Sequence, residues 1–247
     1  DGLVTGVQTC ALPISVKSLL HSVPDCQAIV KKAIVESMKQ SYGLERFPET
    51  GSLFPIHISL VDDIATVTLD TSGAGLHKRG YRQAVGIAPL KETLAAGMLY
   101  LTRWSPGRPL LDPFCGSGTI PVEAAMIGLN MAPGASRPFV AEKWPVVGDD
   151  VWRLAREEAR DVVRDGTSLD ISGSDIDSLA IPLAREHAHL AGVEKHLRFE
   201  VRAVKDVRLA AKYGCIICNP PYGERVGTTR EARSEEHTSE LQSLSHL

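Results

Sequence analysis

Cysteine is scarce in this sequence, five residues in 247. Cys10 lies in a head segment set aside below, which leaves Cys26, Cys115, Cys215 and Cys218. Nothing in them suggests a disulfide framework, so the reading is a reducing, cytoplasmic setting. Cys215-Ile-Ile-Cys218 has the spacing of half a zinc site, yet it falls in an apolar run that reads as a strand. Residues three apart on a strand point to opposite faces, so the two thiols cannot share one metal, and no metal is expected. Long apolar runs are missing as well, and no membrane role is expected. An excess of one charge is also lacking: 27 Lys and Arg stand against 30 Asp and Glu, a net of −3. Such a balance does not by itself suggest a nucleic-acid partner, so that case must rest on local patches and chemistry. Internal repeats are absent.

The two ends read differently from the rest. Val4–Ile14 and Arg233–Ser243 back-translate to DNA strings that are reverse complements of each other and resemble a short-read sequencing adapter. Residues 1–14 and 233–247 are therefore set aside from fold reasoning as adapter-derived, and the native chain is expected to extend beyond both. Asp1, Arg233, Glu235, Glu236 and Glu240 leave with them, which brings the net charge to about zero.

In what remains, Ile29, Val30, Ala33, Ile34 and Met38 recur at helical spacing between a Pro24-Asp25 start and a Gly43 stop. Two extended runs follow, 53–61 and 65–70, joined across Asp62-Asp63 as a hairpin. From Pro89 onward helix and strand alternate. Helices are predicted over 90–102, 118–128, 150–165 and 179–191, and strands over 109–112, 169–175, 197–202 and 215–219. That alternation predicts an α/β domain with a parallel sheet covered on both faces. Between the two regions lies a glycine-spaced basic loop in which His77, Lys78, Arg79 and Arg82 flank Tyr81. It reads either as a solvated linker or as an RNA contact, with cations for phosphate and a ring for stacking.

Three constellations carry chemistry. In Leu110-Leu-Asp-Pro-Phe-Cys-Gly-Ser-Gly-Thr a strand ends in a carboxylate, a glycine turn follows and a helix begins. No Gly-Lys-Ser/Thr makes it a phosphate loop, and Pro121 stands where a dinucleotide fingerprint needs its third glycine. Asp112 would repel pyrophosphate but suits the ammonium of a methionine moiety. In Ile171-Ser-Gly-Ser-Asp-Ile-Asp, Asp175 at the strand end is placed to bind ribose hydroxyls, while Asp177 caps the next helix. Asp206, after the third strand, is either an acceptor for an adenine amino group or an exposed loop acid. The third constellation is Asn219-Pro-Pro-Tyr222. An exocyclic amine on a base is a poor nucleophile, because its lone pair is delocalised into the ring. Asn219 Oδ1 and the Pro220 carbonyl can accept its two hydrogens, Pro220 and Pro221 stiffen the loop, and Tyr222 can stack on an extruded base. In-line attack on a sulfonium methyl is then helped chiefly by proximity.

Together these residues resemble the class I methyltransferases that act on base amino groups. More narrowly, they resemble the bacterial THUMP-domain guanine-N2 methyltransferases of large-subunit ribosomal RNA. The similarity runs from about Val16 to Gly227 and includes Ser22-Val-Pro-Asp-Cys-Gln, the basic loop, Ala88-Pro-Leu-Lys-Glu-Thr-Leu-Ala-Ala, the glycine turn and Asn219-Pro-Pro-Tyr-Gly-Glu-Arg. It implies a truncated Rossmann-like methyltransferase sheet, its first four strands, over residues 89–232. A partial α+β THUMP RNA-binding domain would cover 15–71, with a basic linker over 72–88. It further implies that Asp112, Phe114, Gly116, Gly118, Thr119, Asp175 and Asp206 line an S-adenosylmethionine site, with Asn219 to Tyr222 as the catalytic loop. The family's sheet has seven strands. Stopping after four would leave the strand at 215–219 as an open apolar edge and the piece itself inactive. Two other readings use the same residues: an adenine-N6 DNA methyltransferase, and an RNA-binding module whose methyltransferase half is vestigial.

Overall fold

A computed structural model describes residues 14–47, 51–82, 90–208 and 213–221. Tyr222 and nearly all of the two set-aside ends lie outside the described residues. These residues fall into two compact units. The first gathers the chain up to Gly75 together with Pro138–Ala155, and the second takes Leu76–Arg137 and everything from Arg156.

In the first unit a short strand, β1 (Ile14–Val16), precedes the long helix α1 (Val23–Tyr42). Proline in the first turn and Asp25 beside it open the helix, where a missing N–H costs nothing. Gly43 closes it in the left-handed region (φ 66°), donating its N–H to the Lys39 carbonyl. The hairpin follows as β2 (Ile56–Val61) and β3 (Ile64–Leu69), with β1 parallel on the other side of β2. Asp62 and Asp63 both take positive φ, 49° and 61°, which is what a two-residue turn between twisted antiparallel strands requires. Ser18 and the Leu19 N–H clasp Asp63 at that turn. The alternation seen in the sequence is realised on β2, where Ile58 and Leu60 are buried. Residues 138–155, read from sequence as part of the second domain, pack within this first unit. The Trp144 ring stacks on Phe54 at 4.8 Å, and its Nε1–H donates to the Leu53 carbonyl.

The second unit is built on a four-stranded parallel sheet. In chain order its elements are α2 (Glu92–Leu101), β4 (Leu110–Asp112), α3 (Thr119–Gly128), α4 (Asp149–Asp161), β5 (Ile171–Asp175), α5 (Ala180–Leu190), β6 (Leu197–Val201) and β7 (Cys215–Ile216). The first turns of α4 belong to the other unit. The strand order is β6-β5-β4-β7, so the chain steps outward from β4 to β6 and then returns to its other side. That reversal across β4 is the point where open α/β sheets leave a crevice beyond the carboxyl ends of their strands. Leu110, Ile120, Ile171 and Val193 are fully buried in the core, each contributing about 1.5–3 kcal/mol. Helix α3 is buried along almost its whole length and is apolar on nearly every face, Glu123 being its one charged residue. Among the described residues β7 is an edge strand, shorter than the sequence suggested, with Ile216 exposed. No helix among the described residues is long and apolar enough to cross a membrane.

Candidate active site

The glycine turn between β4 and α3 is fixed to the end of β5 by backbone geometry. The Cys115 N–H donates to the Ser174 carbonyl at 2.9 Å, and the Gly116 N–H donates to Asp175 Oδ2 at 2.8 Å. Asp175 Oδ1 accepts the Asp177 N–H at 3.0 Å, so both of its oxygens are anchored. Each keeps a free lone pair for a further donor. Asp177 Oδ1 in turn accepts the Leu179 N–H just ahead of α5. Gly116 has φ 50°, and a Cβ placed there would meet nothing within 4 Å. Gly118 has φ 79°, and a Cβ there would come within 2.9 Å of the Ala184 side chain on α5. One glycine leaves open space over the turn, and the other lets α5 close beneath it. These features fit a nucleoside-like donor that needs close backbone approach and a carboxylate for its hydroxyls.

Asp112 is 1% exposed, and its Oδ1 accepts the Phe114 N–H at 3.1 Å. Burial pushes its pKa up to about 8, the Phe114 bond opposing this and the nearby Asp175 charge adding to it. Phe114 is half-buried, and Thr119 opens α3. Asp206 ends a short 3-10 turn after β6 and is exposed. On the other side of β4, the Ile217 N–H donates to the Leu111 carbonyl at 3.1 Å, which carries Asn219, Pro220 and Pro221 past the same sheet edge. Asn219 is exposed there. Burial pushes the Cys218 thiol up to about 11, and Asp112 adds to the shift.

The basic loop has a different environment from the one its sequence suggested. Tyr81 is 3% exposed, and its hydroxyl donates to Glu123 Oε1 at 3.1 Å. Its ring therefore offers no face for stacking on a base. Arg79 pairs with Glu123 on α3 at 3.4 Å. Arg82 pairs with Glu92 on α2 at 3.5 Å and donates to the Leu90 carbonyl and the Thr119 hydroxyl. These three side chains thus pin the loop to the helices behind the glycine turn. His77 is half-buried and Lys78 exposed. Glu92, Glu123 and His187 went unremarked in the sequence. For Glu123 a signal existed, one carboxylate in an otherwise apolar helix, Thr-Ile-Pro-Val-Glu-Ala-Ala-Met-Ile-Gly.

The parallel sheet, with its glycine turn and strand-end carboxylate at the switch point, defines an α/β methyltransferase fold. A family model described as RMKL-like, methyltransferase domain, matches residues 79–244, and the chain belongs to that family. It is 52% identical over 215 residues to the Bacillus subtilis (strain 168) protein named "Putative RNA methyltransferase YpsC", covering 86% of this chain and 56% of that protein. Among solved structures it resembles a "predicted N6-adenine-specific DNA methylase" from Listeria monocytogenes str. 4b F2365, at 48% identity and a TM-score of 0.90. That likeness covers 96% of this chain and 62% of the other. It also resembles "SMU.472, a putative methyltransferase complexed with SAH", at 39% identity and a TM-score of 0.88, over 96% of this chain and 63% of that one. The chain thus spans less than two thirds of these relatives.

Proposed function

We propose that this chain carries the donor site and catalytic loop of an S-adenosylmethionine-dependent RNA methyltransferase, acting on N2 of a guanine in large-subunit ribosomal RNA. The observation that supports it is that the Gly116–Asp175 anchor and the Asn219-Pro220-Pro221 segment lie at the carboxyl ends of β5, β4 and β7, three consecutive strands of one parallel sheet. Asp175 binds the donor's ribose hydroxyls through its remaining lone pairs, and the backbone at Gly116 leaves room for the donor above the turn. Asp112 faces the methionine end. When bound, S-adenosylmethionine supplies a methyl group activated by a cationic sulfur. Asn219 Oδ1 and the Pro220 carbonyl accept the two amine hydrogens of the base, holding its nitrogen lone pair toward that methyl. The two prolines keep those acceptors in place. In this reading the first unit is part of a THUMP domain that holds the RNA, and His77 and Lys78 meet phosphate at the loop.

The direct test is calorimetric titration of S-adenosylmethionine into the chain and its Asp175→Ala variant, with circular dichroism to verify folding. The variant is expected to bind roughly 100-fold more weakly, from the loss of charged hydrogen bonds to the ribose and to Gly116. Binding within threefold of the parent would remove Asp175 from the donor site. The DNA name of the Listeria relative favours the adenine-N6 reading. Offering transcribed ribosomal RNA and duplex DNA side by side decides between them.

Asp112 gives a pH signature. A cationic donor favours its ionised form, while burial keeps it protonated up to about pH 8. Binding near neutrality should therefore release a proton, and affinity should rise between pH 6 and 8 and then level off. Calorimetry in buffers of different ionisation enthalpy measures the release, and Asp112→Asn should abolish it. Stability of the free chain runs the opposite way. An acid whose pKa is raised on folding contributes fully below its ordinary value near 3.9, and that contribution is lost as pH climbs through about 8.

A further inference from the structure

His187 lies on α5, 1% exposed, with its Nδ1 2.9 Å from the Ser117 carbonyl oxygen. A carbonyl can only accept, so Nδ1 carries a proton and donates it, and Nε2 lies on the other side of the ring. Among the described residues that buried Nε2 has no hydrogen-bond partner. Burying an unpaired ring nitrogen is costly, and leucine would fill similar space without that cost. Besides a tilted ring contact with Tyr81 at 6.2 Å, what the histidine adds over leucine is its hydrogen bond, and that bond falls on the glycine turn. Ser117 lies between Gly116, whose N–H is fixed by Asp175, and Gly118, against which Ala184 of the same helix packs. The Ser117–Gly118 peptide is held at its N–H end by the Cys115 carbonyl, 2.8 Å away, and His187 holds the carbonyl end of the same plane.

We propose that His187 is a positioning residue for the methyl donor. Its Nδ1–H holds the Ser117 carbonyl, so that the N–H groups and open face of the turn stay set for the ligand. The inference rests on the reading of this turn as the donor site.

The test compares S-adenosylmethionine affinity of the unaltered chain with His187→Asn, His187→Gln and His187→Leu, folding being checked by circular dichroism. Asparagine places an amide N–H near the position of Nδ1, whereas glutamine carries its amide one carbon further and leucine has no donor. His187→Asn is expected to bind within about threefold of the parent, and the other two to bind about tenfold more weakly. A purely structural role would lower melting temperatures but leave the affinity of the folded variants alike. Equal binding by all four proteins overturns the proposal, and so does equal weakening by Asn and Gln. If the leucine variant fails to fold, the Asn and Gln pair decides alone. No binding by the unaltered chain, or full binding by Asp175→Ala, would instead overturn the donor-site reading beneath it.

Discussion

Replacing Glu123 with alanine is expected to cost the second unit about 3 kcal/mol, more than removal of any of its exposed ion pairs. Glu123 is 2% exposed and accepts from the Arg79 guanidinium and from the Tyr81 hydroxyl. Burial raises its pKa, and Arg79 opposes that rise, so the carboxylate and its cation are each other's main compensation for lost water. Alanine would leave the Tyr81 hydroxyl buried without an acceptor and Arg79 beside an apolar helix. Because the loop from Leu76 to Arg82 is held to α2 and α3 mainly by these groups, its release should accompany the loss of stability. The urea midpoint measures the first effect, and protease cleavage within the loop the second. Glu123→Gln keeps an acceptor for Tyr81 and should cost about half as much. A midpoint unchanged in both variants would mean that the network contributes nothing to the fold.

The second large effect is expected at Asn219. Its conversion to alanine should lower methyl transfer roughly 10²- to 10³-fold, the range seen when one preorganised hydrogen-bonding group is removed from a reaction centre. Donor affinity should change by less than threefold, because Asn219 lies across β4 from the Asp175 anchor. Transfer is measured with labelled donor and ribosomal RNA, on a chimera that joins this sequence to the remaining length of the Bacillus subtilis relative. Affinity can be measured on the present chain. A variant that transfers at the parental rate would remove Asn219 from catalysis. One that loses donor binding in parallel would move it into the donor site. The RNA-binding-module reading predicts neither change, and no donor binding at all.

Much of the architecture was legible in the sequence because its signals are local. The Pro24-Asp25 start and Gly43 stop of α1, the Asp62-Asp63 turn and the alternating β2 residues act within a few positions of themselves. The glycine turn was equally plain: no dinucleotide or Walker pattern matches it, and the strand, carboxylate and glycines occur in immediate succession. The basic loop shows where such reading fails. Four polar residues around a tyrosine look the same whether they face solvent or a buried carboxylate forty residues onward. Only contact with Glu123 and Glu92 turned Arg79, Tyr81 and Arg82 inward.

The sequence by itself therefore determined the order of helices and strands from α1 to β7, though not the short strand β1, and marked the glycine turn and the Asn-Pro-Pro loop as candidate sites. Each depends on residue type and short spacing, which fix backbone dihedrals and local hydrogen bonds. Tertiary structure alone decided three things. It brought the segment that carries Asn219 to the same end of the sheet as the glycine turn by pairing β7 parallel with β4. It grouped residues 138–155 with the hairpin through Trp144 and Phe54. It buried Asp112 and His187 against the same turn. All three depend on which surfaces exclude water together, and burial is a property of the packed chain that sequence spacing does not encode.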